Sequence, residues 1–228
     1  MKKILFFLLG LIGLSSLLCS IAASGVTNAA LMKQGFLQYA ETEHLGVSPT
    51  RYADYAAAIS DCLDGKTDAP RISDGEGNTK DAFTEKENAH LRDVRGIVTF
   101  LKWARWLGGG GTIAIIAAMY LLSKNRQQLL SALVRAFALA ALFLLFVFTI
   151  LAVWGAFNFD GLFWTFHKIF FTNSLWLLNP KTDLLMALMP LSFFTWYAGE
   201  ILKSLLPVLG LMLLLIIAWL KTSKEKKQ

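Results

Sequence analysis

The chain of 228 residues has three imidazoles, His44, His90 and His167. Imidazole moves protons near neutral pH, because its ordinary pKa lies near 6.5 and small changes of environment tune it. His44 sits in AETEHLG beside Glu43 and reads as a solvated surface residue. His167 falls in FWTFHKIFFTNSLWLLNPKTD, residues 163–183, where aromatic and leucine side chains are interrupted by Lys168, Asn173, Asn179 and Asp183. Those polar groups do not suit a bilayer core, and those rings do not suit a soluble loop. The membrane–water boundary accommodates both, since such rings have an apolar body and Trp adds a wet edge. His90 follows a capping box, Thr84 with Glu87, and the helix starting there carries His90, Val94, Ile97 and Leu101 within about 40° of one another. His90 therefore faces an apolar surface, with Asp93 one turn on and near enough to touch it.

Two imidazoles at a lipid–water boundary point to acyl transfer. One takes a proton from an attacking group and the other gives one to the leaving oxygen. No protein nucleophile is evident: there is no G-x-S-x-G, and Thr165, Thr172 and Ser174 lack a strained elbow. A substrate that brings its own nucleophile fits that pattern. No H-E-x-x-H and no paired cysteines occur, so neither a metal nor another cofactor is expected. Ion transport fits poorly, since Arg135 is almost alone as a charge within an apolar run. Another lipid ester enzyme, and a non-catalytic protein that binds a lipid or lipoprotein, stay open as alternatives.

The elements that must position these groups are membrane helices. Apolar residues make up 55% of the chain, charged residues 17%, and the mean hydropathy is +0.52. Four runs approach the length of about 20 residues needed to cross a bilayer. They span 4–23, 107–123, 131–157 and 200–220. The short flanks carrying Lys2/Lys3, Lys124/Arg126 and the tail 221–228 are basic, which places them in the cytoplasm. Both termini are then inside, and 24–106 and 158–199 are outside. The net charge of +6 is a topology signal. Residues 25–105 hold ten basic and twelve acidic side chains, so no nucleic-acid partner is indicated. The first run is long for a signal core and reads as a retained anchor, despite Ala22, Ala23 and Ser24 at its end. Leu18 before Cys19 argues against the chain being a lipoprotein itself, and Cys19 and Cys62 lie in different compartments.

The expected fold is all-α and polytopic, four transmembrane helices with a small, mainly helical extracellular cap. Ser48-Pro49 caps a helix that stops at Gly65. Residues 64–80 read as a loop. Lys102, Trp103, Arg105 and Trp106 form an interfacial belt, and Gly108–Gly111 a hinge or close helix approach. Phe166, Phe170 and Trp176 lie at headgroup depth with the rest of the aromatic wall. Asn179-Pro180 restarts a helix that Pro190 ends or kinks. Counting back from Lys221 puts Glu200 about 31 Å away, at the outer boundary and in reach of Lys203. His90, His167 and Glu200 are expected to converge there.

The string FHKIFFTNSLWLLNPKTDLL, followed by Pro190 and Phe193-Phe194, together with FTEKENAHLRDV at 83–94, resembles the lipoprotein intramolecular transacylase family of low-GC Gram-positive bacteria. The resemblance covers roughly residues 45–200, with Ser174 and Leu191 where family members often carry acidic residues. It implies a membrane acyltransferase acting on a diacylglyceryl lipoprotein at the outer face of the cytoplasmic membrane. The sn-2 acyl chain moves to the α-amine of the N-terminal cysteine, giving the lyso form. It implies that His90 and His167 are the catalytic pair. Asp93, Asn173, Trp176, Asn179, Asp183, Glu200, Phe166 and Phe170 are candidates for supporting or substrate-binding roles.

Overall fold

The structure, a computed structural model, describes residues 2–74 and 78–225. Ten helices and one hairpin follow in order among the described residues: α1 (Lys2–Val26), α2 (Ala29–Tyr39), α3 (Tyr52–Asp64), β1 (Arg71–Ser73), β2 (Thr79–Asp81), α4 (Glu85–Trp103), α5 (Gly109–Leu122), α6 (Arg126–Phe157), α7 (Phe159–Phe170), α8 (Leu184–Leu188), α9 (Leu191–Ser204) and α10 (Leu206–Glu225). Among the described residues three helical stretches are long and apolar enough to cross a membrane: Lys2–Val26, Glu85–Leu122 and Arg126–Phe157. Leu191–Ser204 and Leu206–Lys221, interrupted at Leu205, qualify together as a fourth.

The chain divides into two compact units. Ala23–Phe100 and Phe157–Leu202 fold together as one; Leu101–Ala156 joins the chain's two ends in the other. The two segments expected outside the bilayer thus belong to a single folded unit.

In the apolar unit, α1, α6 and α10 share a core of Leu14, Leu18, Ala140, Ala141, Leu144, Val208 and Met212. Small residues let helices approach closely. A Cβ on Gly10 would lie 3.1 Å from the Phe137 backbone, and one on Gly108 or Gly109 would lie 3.3 or 3.2 Å from the Ser16 side chain. The glycine run is a close helix approach at its first two positions. Its residues stay helical, preceded by a π-turn over Ala104–Gly108.

The second unit has an aromatic core. Phe36 meets Phe193 at 5.5 Å and Tyr52 at 6.0 Å, and Phe193 stacks on Tyr197 at 5.0 Å. Gly35 makes this packing possible, since a Cβ there would lie 2.5 Å from Phe193 Cε2. The Ser48 hydroxyl accepts a hydrogen bond from Thr50 N, Pro49–Arg51 forms a 3-10 turn, and Gly65 ends α3 with φ of 81°. Each matches the sequence expectation. The stretch read as a loop, 64–80, instead contributes a three-residue antiparallel pair, Arg71 opposite Asp81 and Ser73 opposite Thr79. Such a short ladder is held by its neighbours: Ile72 is buried in the core and Arg51 Nη2 donates to Ser73 O at 2.7 Å. Periodicity cannot reveal a strand of three.

Asn179-Pro180 does not restart a helix. It makes a turn in which Asp183 Oδ2 accepts Asn179 N at 2.7 Å and Asn179 Oδ1 accepts Lys181 N at 3.0 Å. The helix begins only at Leu184. Asn and Asp side chains that can bond nearby backbone N–H groups favour turns over helix for this reason.

Candidate active site

Helix α4 brings His90 to the site. Thr84 and Glu87 form the capping box: Glu87 Oε2 accepts Thr84 N at 2.7 Å, and Thr84 Oγ1 accepts Glu87 N at 3.4 Å. Glu87 does more than cap. It is 1% exposed, and its second oxygen, Oε1, accepts Leu185 N at 2.7 Å, fixing the start of α8 to α4. Burial of a carboxylate is tolerated here because both oxygens have donors. The buried face of α4 carries Glu87, Asn88, His90, Leu91 and Val98. It is centred closer to the Leu91 side than the expected His90–Ile97–Leu101 stripe.

Helix α7 brings His167. Asn158 caps it, its side chain accepting Gly161 N at 2.8 Å. His167 Nδ1 lies 2.8 Å from Phe163 O, one turn back. A carbonyl only accepts, so Nδ1 carries the hydrogen and the Nε2 lone pair is left available.

His90 and His167 are each 8% exposed, and their ring centroids are 6.1 Å apart. One reacting centre can meet both rings at that separation. Aromatic rings surround them. Phe171 lies 5.1 Å from His90 and 5.4 Å from His167, Phe163 lies 4.2 Å from His167, and Trp176 lies 5.0 Å from it. Phe166 meets His167 edge-on at 5.5 Å and Phe170 at 4.6 Å, which makes it part of the wall but one step from the imidazole.

Burial disfavours the imidazolium. It pushes the His90 pKa from 6.5 down to about 4, aided by the facing His167 and opposed by Asp93. His167 is also lowered by burial, with its bond to Phe163 O opposing. Both rings are therefore neutral at neutral pH.

Asp93 does not touch His90 through a hydrogen bond. Its Oδ2 accepts Asn173 Nδ2 at 2.8 Å, joining α4 to the loop after α7. Asn173 Oδ1 accepts Leu175 N at 3.0 Å, and Asn173 O accepts the Trp176 indole N–H at 2.9 Å. Asn173 and Trp176 thus lie beside the imidazole pair, Asn173 through Asp93 and Trp176 through its ring contact with His167. Asn179 and Asp183 serve the turn between Trp176 and α8. Glu200 lies in α9, half-buried, and the ring and hydrogen-bond partners of the two imidazoles are other residues. His44 is exposed, with Nε2 at 3.2 Å from Pro180 O. Sequence reasoning missed the second contact of Glu87. A capping-box Glu uses one oxygen locally, and nothing in the spacing shows where the other points. Among the described residues no group of three His, Cys, Asp or Glu side chains could hold a metal ion.

The profile of the family described as "Lipoprotein intramolecular transacylase Lit" matches residues 4–194. The chain belongs to the lipoprotein intramolecular transacylase family. The match reaches further toward the N-terminus than the resemblance over 45–200. A solved structure of the membrane integral lipoprotein intramolecular transacylase from Bacillus cereus shares the fold, with a TM-score of 0.68 and 20% identity, over 99% of this chain and 98% of that one. A structure of the Bacillus cereus protein with a histidine-to-arginine mutation matches with a TM-score of 0.62 and 20% identity, over 99% of this chain and 94% of that one. No curated protein matches. The transacylase family, the membrane-integral fold and the apolar helices together make the chain a multi-pass membrane protein.

Proposed function

We propose that this transacylase moves the sn-2 acyl chain of a diacylglyceryl lipoprotein to the α-amine of its N-terminal cysteine. The product is a lyso-form lipoprotein. The reaction takes place at the outer face of the cytoplasmic membrane, with both termini in the cytoplasm and the unit Ala23–Phe100 with Phe157–Leu202 forming the outer cap. Basic residues at Lys2/Lys3, at Lys124/Arg126 and after Lys221 support that orientation.

The observation that carries the reading is the neutral imidazole pair in an aromatic wall. The available Nε2 of His167 is a base toward the amine. His90 Nδ1 is buried with no hydrogen-bond partner among the described residues. An orphaned N–H is worse than an orphaned lone pair, so the His90 proton belongs on Nε2. His90 is then a neutral donor for the ester carbonyl oxygen as it gains charge, a role a buried imidazole with a lowered pKa performs well. The amine nitrogen bonds to the acyl carbon as His167 takes its proton. The bond from that carbon to the glycerol oxygen then breaks, and the proton passes from His167 to the glycerol oxygen. No acyl-enzyme is needed, because nucleophile and ester belong to one molecule. Holding them together contributes up to about 7–11 kcal/mol in the best intramolecular cases. The rings around the pair exclude water, which favours the amide over hydrolysis.

The test is purified protein with a synthetic diacylglyceryl-cysteinyl peptide whose sn-2 chain alone is isotopically heavy. The heavy chain is expected on the cysteine nitrogen, with the light chain still on glycerol. Release of free heavy fatty acid, or an unchanged peptide, would contradict the reading.

A further inference from the structure

We propose that Asp93 is the receptor for the α-ammonium group of the substrate's N-terminal cysteine. This rests on the acyl-transfer reading above and names what recognises the nucleophile before it reacts. At neutral pH a free α-amine, with an ordinary pKa of about 7.7–8.0, arrives largely as a cation. Two neutral, buried imidazoles offer that cation no opposite charge. Asp93 does, one helical turn from His90 and close enough to act on its titration.

The carboxylate is set up for a ligand. Asn173 Nδ2 holds Oδ2 at 2.8 Å, and among the described residues Oδ1 has no hydrogen-bond partner. Asp93 is half-buried, so Oδ1 is not sealed off. Among the described residues no Lys or Arg pairs with it. By contrast, Asp54, Asp61, Asp81 and Glu85 each meet a basic side chain at 3.2 Å or closer. Asn173 cannot serve as the counter-charge, since an amide is neutral; it orients the carboxylate. The Trp176 indole, tied to Asn173 O at 2.9 Å and packed on His167 at 5.0 Å, adds an aromatic face beside the same loop. A carboxylate with a fixed orientation, an aromatic neighbour and no cation of its own fits a primary ammonium. The arrangement also orders the chemistry. The ammonium docks at Asp93, loses one proton to solvent, and presents its lone pair beside the imidazole pair.

The experiment uses the full chain in lipid nanodiscs and two non-reactive probes. Both are ether-linked dialkylglyceryl-cysteinyl tetrapeptides, one with a free α-amine and one with that amine replaced by hydrogen. Wild-type protein is expected to bind the amine form about 10- to 100-fold more tightly, the range for a hydrogen bond to a charged group. Asp93→Asn keeps an oxygen that can accept from Asn173, so its unfolding midpoint is expected to stay unchanged while the two probes bind within about twofold of each other. Asn173→Ala removes the orienting amide but leaves the charge, and is expected to retain part of the preference. No preference in wild type, or a full preference in Asp93→Asn, would overturn the proposal. The same wild-type preparation is given the ester substrate. Amine preference without N-acylation would leave the Asp93 site standing and sink the transacylase reading. N-acylation without amine preference would do the reverse.

Discussion

His167 donates Nδ1–H to the Phe163 carbonyl at 2.8 Å and so presents a lone pair, while His90 buries Nδ1 with no hydrogen-bond partner among the described residues, which favours the tautomer with its N–H on Nε2. In the proposed mechanism that complementarity divides the labour between two chemically identical rings. Removing either imidazole, as in His90→Ala or His167→Ala, is expected to lower turnover by about 10²–10⁴-fold in folded protein, the usual worth of a positioned acid or base. Quantifying N-acylated peptide by mass spectrometry checks this, and near-wild-type rates would refute it. The depressed His90 pKa also has a consequence for stability. The unfolded chain binds the His90 proton below about pH 6.5, whereas the folded chain resists it down to about pH 4. Between those values the unfolded state holds more protons, so this contribution is fully present above 6.5 and is lost as the pH falls through about 4. Unfolding midpoints measured across that window are expected to fall less steeply for His90→Gln than for wild type. The approach of the two histidines was expected from the sequence, because His90 lies on an apolar helix face and His167 in an aromatic boundary segment, and their rings are 6.1 Å apart. Their tautomers were not, since these depend on what each ring nitrogen meets.

At the scale of elements, α4 is the scaffold. Glu87 secures its first turn through Thr84 and reaches Leu185 N across the unit. Glu87→Ala would remove the acceptor of three donors, Thr84 N, Thr84 Oγ1 and the buried Leu185 N, and a hydrogen bond to a charged group contributes about 1.5–3 kcal/mol. The expected result is a loss of at least that size, read by denaturant or thermal unfolding, and accompanied by lower activity as the turn Asn179–Asp183 and α8 loosen. A variant as stable as wild type would contradict both the cap and the tie to Leu185. Capping signals were readable because they are local: Thr84 with Glu87, Ser48 with Pro49, and Gly65. The α2 helix and the β1–β2 pair were not distinguished, because they are held by the core that Phe36 of α2 and Ile72 of β1 share with Phe193. Asn179-Pro180 misled for a related reason. The pair suits a helix start in isolation, yet Asp183 competes for the Asn179 backbone N–H and wins.

For the whole molecule, the charge pattern and the division into two units bear on the same topology. Residues read as external from the basic flanks are those that fold together, with His90 and His167 in one unit. The proposed topology is accessible to labelling. In intact cells, a membrane-impermeant maleimide is expected to react with Ser73→Cys, in the hairpin, and with Ser123→Cys, between α5 and α6, only after permeabilisation. The reverse pattern would invert the chain and place the histidines inside. Hydropathy made the four apolar runs legible. The boundary of the second was less so, because polar α4 and apolar α5 run on as one helical stretch, Glu85–Leu122, with only a π-turn between them.

The most direct test of the central claim is mass spectrometry of a reporter lipoprotein's N-terminal peptide. The host makes only diacylglyceryl lipoproteins and expresses either this chain or its His167→Ala form. An N-acylated cysteine carrying one remaining O-acyl chain, present with wild type and absent with folded, membrane-inserted His167→Ala, is the predicted result. A diacylglyceryl peptide left unchanged by the wild type, or converted equally well by His167→Ala, would contradict it.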